Sequence, residues 1–432
     1  LYAMMPAMKK VAHRSRAVPA LSLALALGLA TTGPVGAQER EPPHFEPPPG
    51  DHGGFERGGF ERGGPDRGMP GLAERTEAIS DLLDRLAEVE RPEHDASGYP
   101  VRRGEVSALD LAPAALSRLE SRGYRVIGRD PLPTLGHEIV RLAVPAGLSA
   151  REGAAAIAAA DPSATIDLVH YYALEPAGGK PHRVHGERGK TAPVPGSISG
   201  KPVIGMIDTA VTPHPALAAA RIIAWDQGNR PGLPVGHGTA VASIIAEGGQ
   251  PTIYAANIFR GSLDRPFTSA DVVAQALEWL LARDVPVINM SLAGPRNALL
   301  DRLIGEAIAR GRTIVAAAGN GGPTAPPAYP AALPGVIAVT AVDHAGHIYR
   351  FANRGPYVSF AASGVDVVAA NAPGGMARFT GTSFATAHVA ALYARCRGGG
   401  ASSSACTDRL AREAHDLGAP GRDAIYGYGF LD

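Results

Sequence analysis

The chain has 432 residues, enough for two or three folded units, and 45% of them are apolar, enough for a sizeable core. Its 41 basic residues balance its 41 acidic ones, so no polycationic face is implied and nucleic acid is excluded as a partner on charge.

The first element in chain order is a leader. Lys9, Lys10, Arg14 and Arg16 precede the apolar run VPALSLALALGLA, and the small-residue stretch PVGA follows it. This pattern predicts a secretory signal peptide over residues 1–37 and a secreted or periplasmic protein. The run is shorter than the roughly 20 residues that span a bilayer, so no stable membrane anchor is expected. Residues 41–70 hold seven Pro and eight Gly, including GGFERGGFERGG. Such a segment buries too little apolar surface to offset its ordering entropy, and a disordered linker is predicted over 38–71. Ile79, Leu82, Leu83, Leu86 and Val89 then recur at helical spacing within a segment assigned to 72–104, and Arg91-Pro92 ends that helix.

Residues 105–172 alternate short elements. A strand at 105–109 leads to a helix at 113–122 with Pro at its first turn, then strands at 124–128 and 137–144. A serine-capped, Ala-rich helix at 149–159 and a strand at 165–171 complete the order β-α-β-β-α-β, that of a small α+β ferredoxin-like domain over 105–174. A Pro-, Gly-, Lys- and Arg-rich linker is expected over 175–200. Beyond it, VIGMID, TIYAANIF, VPVINMS, TIVAAAG and VIAVTAV read as buried parallel strands. Helices predicted at 237–246, 269–283 and 298–310 fall between them. The fold class is therefore α/β, a three-layer domain with a mostly parallel sheet over 201–432.

Three motifs stand at the ends of these elements. Asp208 terminates the strand VIGMID, where a lone carboxylate is ordinarily a cap or turn former. His237 lies between two glycines in GHGTAVASII, at a helix N-terminus. No second His or carboxylate at ligand spacing accompanies it, so zinc is not expected. Ser383 sits in FTGTSFATAHVAALYA, where a glycine turn enters an apolar helix; such a serine is most often an N-cap, but the helix terminus also favours a developing oxyanion. Taken together they give the order Asp–His–Ser with separations of 29 and 146 residues.

IDTAV, GHGTAVA and GTSFATAHVAA closely resemble the three catalytic motifs of the subtilisin-like serine proteases, over roughly residues 201–432. The resemblance implies a serine endopeptidase acting on polypeptides, with Ser383 as nucleophile, His237 as general base and Asp208 orienting the imidazole. It implies that Asn320 of VAAAGNGG donates its amide to the oxyanion. It also implies that Ser291, Leu292, Ala293 and Gly294, with Ala317, Ala318 and Gly319, bind the substrate backbone and wall the pocket before the scissile bond. The domain at 105–174 resembles the family's inhibitory propeptides in layout, which makes it an expected intramolecular inhibitor, with self-cleavage near residues 172–174. A monomer is expected, with neither cofactor nor metal. The calcium-binding loop that many subtilisins carry after the histidine helix is missing from SIIAEGGQPTIYAANIF, and Phe384 and Ala387 stand where the family often has Met and Pro. Cys396 and Cys406 form one short-loop disulfide if the chain is exported, and two free thiols otherwise. Two other functions share these motifs, a peptide ligase or cyclase with the same triad and a non-catalytic binding protein.

Overall fold

The computed structural model describes residues 91–174, 182–184 and 202–431, except 228–232, 234–235, 248, 262–265 and 373. The expected signal peptide, the Gly/Pro-rich linker, the helix before residue 91 and most of the 175–200 linker lie outside the described residues.

The N-terminal domain runs β1 (Glu93–His94), β2 (Pro100–Leu109), α1 (Pro113–Glu120), β3 (Arg125–Leu132), β4 (His137–Ala143), α2 (Ala150–Ala160) and β5 (Thr165–Ala173). Its strands stand in the order β5-β2-β4-β3, all neighbours antiparallel, with β1 on β2. Alternation along β2 sends Val106 and Ala108 into one apolar cluster with Leu116 and Leu119 of α1 and Ile157 of α2. Ser149 caps α2 in a reciprocal arrangement with Glu152. Strand β2 begins five residues before the predicted start, because the polar VRRG hides its ladder from the apolar pattern. Its Arg102 reaches Ser269 Oγ at 3.0 Å and Asp271 Oδ2 at 3.6 Å.

After β6 (His182–Val184), the second domain runs β7 (Val203–Asp208), β8 (Arg221–Asp226), α3 (His237–Ala246), β9 (Thr252–Asn257), β10 (Arg260–Gly261), β11 (Pro266–Ser269), α4 (Ala270–Leu281), β12 (Val287–Met290), α5 (Ala298–Ala309), β13 (Thr313–Ala317), β14 (Ile337–Val342), β15 (Val358–Ser363), β16 (Val367–Ala370), β17 (Met376–Phe379), α6 (Thr382–Gly398), α7 (Ser403–Glu413) and β18 (Phe430–Leu431). Eight strands form one parallel sheet in the order β18-β15-β14-β13-β12-β7-β9-β8. Both faces are covered, which is why the central strands read as unbroken apolar runs. Ile204, Met206, Val287 and Val315 pack with α3 and α6. Ile207, Ile288, Ile314 and Ala316 pack on the other side with α4 and α5.

Leu132, Leu135, Ile139 and Tyr172 of the N-terminal domain belong to that second cluster, so the two domains share apolar core across α4 and α5. The N-terminal sheet also continues through β11 and β10, which belong to the second domain.

Cys396 in α6 and Cys406 in α7 are bonded, with Cα atoms 5.9 Å apart. Closing so short a loop constrains the unfolded chain by up to about 3 kcal/mol. Reduction is expected to lower the melting temperature by several degrees in calorimetry; an unchanged melt would mean that α7 is held by packing alone.

Candidate active site

The site gathers at the carboxyl ends of the parallel strands, where an open α/β sheet leaves its crevice. Asp208 is the last residue of β7, His237 the first of α3 and Ser383 the second of α6. Helix α3 starts from Gly236 in the left-handed region, and a Cβ on Gly238 would stand 2.3 Å from the Thr209 carbonyl oxygen. The two glycines flanking His237 therefore let the helix start press against the end of β7.

That contact brings the imidazole to the carboxylate. His237 Nδ1 lies 2.8 Å from Asp208 Oδ1, with Asp208 fully buried and His237 5% exposed. Asp208 Oδ1 also accepts from the Thr209 amide at 2.6 Å and the Thr209 hydroxyl at 3.2 Å. An ionised carboxylate only accepts, so the Nδ1 proton points at Asp208 and Nε2 is left as the basic nitrogen. Nε2 and Ser383 Oγ are both buried, and neither makes a hydrogen bond here, to the other or to another group. Catalytic hydrogen bonds are often this loose before substrate arrives. His388, five residues beyond Ser383 on α6, is unsuited to proton shuttling, since burial pushes it down to about 4.

Asn320 is held from α6. Its Oδ1 accepts from the Thr382 amide at 3.0 Å and the Thr382 hydroxyl at 2.9 Å. The planar carboxamide then turns Nδ2 to the Gly381 side, where a Cβ on Gly381 would lie 3.3 Å from it. The sequence offers no spacing signal for the part Thr382 plays, although it stands inside the quoted GTS motif. Thr209 and Asn289 escape the sequence reading too; Asn289 Nδ2 donates to Ser291 Oγ at 2.9 Å, and that hydroxyl donates to the Ser383 carbonyl at 3.3 Å.

The expected substrate-binding residues separate into two groups. Ala293 forms an antiparallel bridge with Ala173, and Gly294 one with Tyr329. Leu292 is fully buried in the core. Ala317 ends β13, Ala318 donates its amide to the Val339 carbonyl, and the Gly319 amide donates to Thr382 Oγ1 at 3.3 Å. Ser291 lies beside Ser383.

The chain's own β5 lies on this edge. Tyr171, Tyr172 and Ala173 pair with Ser269, Thr268 and Phe267 of β11, while Ala173 pairs with Ala293 on its other side. Strand β5 therefore runs two residues past its predicted end, because partners from the second domain flank it. Tyr172 is 1% exposed, packs on Gly294 and donates its hydroxyl to the Pro295 carbonyl at 3.0 Å. Among the described residues, no three His, Cys, Asp or Glu side chains gather as metal ligands.

Residues 199–429 match the profile of the subtilase family. The chain is 30% identical over 253 residues to the minor extracellular protease Epr of Bacillus subtilis, covering 54% of this chain and 38% of that protein. It is 32% identical over 245 residues to a thermostable alkaline protease of Halalkalibacterium halodurans, covering 53% of this chain and 65% of that one. The chain thus spans less than two thirds of either relative. Its fold is similar to that of fervidolysin from Fervidobacterium pennivorans, a keratinolytic enzyme related to subtilisin, with a TM-score of 0.63 at 20% identity over 79% of this chain and 61% of that one. That likeness in fold reaches beyond the 199–429 segment. More than half of the chain matches the family profile, in the region that carries the Asp208–His237 pair and the Ser383 helix, and the chain belongs to the subtilase family.

Proposed function

We propose that the protein is a secreted serine endopeptidase, made as a self-processing precursor whose N-terminal domain occupies and inhibits its own active site. The observation that carries this reading is the buried Asp208–His237 bond beside Ser383, with β5 filling the adjacent strand edge as an extended substrate would. Ser383 Oγ attacks the peptide carbonyl carbon as His237 Nε2 takes its proton, and Asp208 stabilises the imidazolium. The Asn320 amide and the Ser383 backbone N–H hold the oxyanion. His237 then protonates the leaving amine, the peptide C–N bond breaks, and water frees the acyl group by the same steps in reverse roles. Support for export comes from the leader pattern of residues 1–37. The described residues contain no helix long and apolar enough to cross a membrane. Tyr172 and Ala173 are both engaged in the β11 ladder, which favours a processing bond at or just after Leu174.

Labelling with a fluorophosphonate and N-terminal sequencing of the purified protein test this directly. The expected result is one labelled serine, Ser383, and a new N-terminus shortly after Leu174. An unlabelled, intact chain would leave a binding protein on the same fold; product masses showing joined or cyclised peptides would identify a ligase.

The inhibitory contact has its own test. Glu278 of α4 is 7% exposed, and its carboxylate accepts from the Thr134 amide at 2.7 Å and the Leu135 amide at 3.2 Å, at the β3–β4 turn. Hydrogen bonds to a charged group contribute about 1.5–3 kcal/mol, so Glu278→Ala is expected to cost about 2–3 kcal/mol in the uncleaved Ser383→Ala chain. Urea unfolding measures it; no shift would mean that the turn is held by its other contacts, among them the Arg310 guanidinium, which donates to the Thr134 and Leu135 carbonyls.

A further inference from the structure

Asn320 lies three residues beyond β13, and the chain on both sides of it is tied to a single residue, Asn353. The Asn353 amide donates to the Gly319 carbonyl at 3.0 Å, and Asn353 Oδ1 accepts from the Gly321 amide at 2.8 Å. Its Nδ2 donates to the Pro326 carbonyl at 3.1 Å. Asn353 is 3% exposed, and a Cβ on Gly319 would stand 2.7 Å from Asn353 Nδ2, so the carboxamide presses on the bend that carries Asn320. The rungs to either side repeat the tie. The Gly322 amide donates to the Phe351 carbonyl at 2.8 Å, and the Tyr357 hydroxyl to the Ala318 carbonyl at 3.1 Å. Segment 318–322 is thus laced to 351–357 on both sides of Asn320, while Thr382 holds the Asn320 side-chain oxygen.

Resting on the endopeptidase reading above, we infer that Asn353 is a positioning residue for the reaction, which fixes the backbone of Asn320 so that its amide is aimed before the oxyanion forms. The reason is geometric. The Gly319 carbonyl belongs to the peptide plane before Asn320, and the Gly321 amide to the plane after it. Peptide planes are rigid, so a residue between two held planes has both of its backbone dihedrals set. With the planes held by Asn353 and Oδ1 held by Thr382, Asn320 Nδ2 needs no reorganisation when charge develops, which is how such a donor gains its effect. The Pro326 arm ties the same bend to the segment that continues to Tyr329, whose bridge with Gly294 lies at the expected pocket wall. One buried side chain therefore spans the oxyanion donor and that wall. A merely structural asparagine would stabilise the loop and leave the rate of the folded enzyme alone.

The test is the kinetics of the processed enzymes on a peptide anilide. Asn353→Ala is expected to lower kcat by on the order of ten- to a hundred-fold, the scale on which a small misplacement of a catalytic group acts, with KM changed less than about three-fold. A peptide boronic acid, whose tetrahedral anion on Ser383 imitates the intermediate, should lose affinity by the same factor as kcat/KM. In the Asn320→Leu background no amide remains to aim, so adding Asn353→Ala should cost less than about two-fold. Where Asn353→Ala does not fold, Asn353→Ser keeps the backbone bond to Gly319 and a polar atom in the buried site, and runs through the same cycle. Unchanged kcat, a loss confined to KM, or equal losses in both backgrounds would overturn the inference, while cleavage by the parent enzyme keeps the endopeptidase reading standing. A parent that does not cleave the anilide fails that reading, and this inference with it.

Discussion

Replacing Ser383 with alanine is expected to abolish peptide hydrolysis, by about a million-fold in kcat, without weakening the fold. The magnitude is the one that loss of the serine carries in subtilisin itself. The second half of the expectation comes from this structure. Ser383 is 1% exposed and its Oγ makes no hydrogen bond, so truncation removes a buried polar atom that has no partner to orphan. Stability should stay within about 0.5 kcal/mol of the parent, or rise slightly. His237→Ala contrasts with it. Activity falls to a similar degree, but the buried Asp208 carboxylate loses its imidazole partner, and stripping one member from a buried pair costs about 3–5 kcal/mol. Steady-state kinetics with calorimetry on both variants separates the two effects. The Ser383→Ala chain should also run as a single uncleaved species on a denaturing gel. If it is still cut, processing is the work of another protease.

The parts of this protein legible in the sequence are those where one side-chain type must stand at one place. Strands β7, β12 and β13 are buried on both faces, so they appear as apolar runs that lead to Asp208, to Ser291 and toward Asn320. Helix α3 begins at His237 and ends at Ala246 as predicted, since the glycine pair marks its start and every one of its residues is buried. Short strands leave no such trace. Strands β6, β16 and β17 have three or four residues each, and their pairing rests on backbone groups, which composition cannot report. The same holds for hydrogen bonds set by the packing of distant segments. Asn297 shows this well: its Oδ1 caps α5 through the Leu300 amide at 3.2 Å, while its Nδ2 donates to the Leu168 carbonyl in β5 at 3.1 Å. The cap is readable from an asparagine before an apolar helix. The bond to the other domain, 129 residues away in sequence, is not. Leu292 marks the same limit, because its motif assigns it to the substrate cleft whereas its side chain lies in the core.

Asn320→Leu is expected to lower kcat by about a hundred- to thousand-fold with little change in KM, as removal of one oxyanion donor does in subtilisin. The direction of the split follows from charge. A neutral carbonyl in bound substrate gains little from the amide, whereas the full negative charge of the tetrahedral intermediate gains much in a buried site. What this structure adds is how the donor is aimed. Asn320 Oδ1 accepts from both the amide and the hydroxyl of Thr382, the residue before Ser383, so the helix that carries Ser383 also sets the plane of the amide. Thr382→Val removes the hydroxyl contact to Asn320 together with the long bond the hydroxyl accepts from the Gly319 amide, keeps the backbone contact and preserves side-chain volume. It should therefore cost about ten-fold in kcat, the scale of losing one orienting hydrogen bond. In Asn320→Leu the threonine has no amide to orient, so adding Thr382→Val should cost almost nothing more. Such non-additivity marks two residues acting as a unit. Additive losses in the four-member kinetic cycle would mean that Thr382 supports the helix start and not the oxyanion donor.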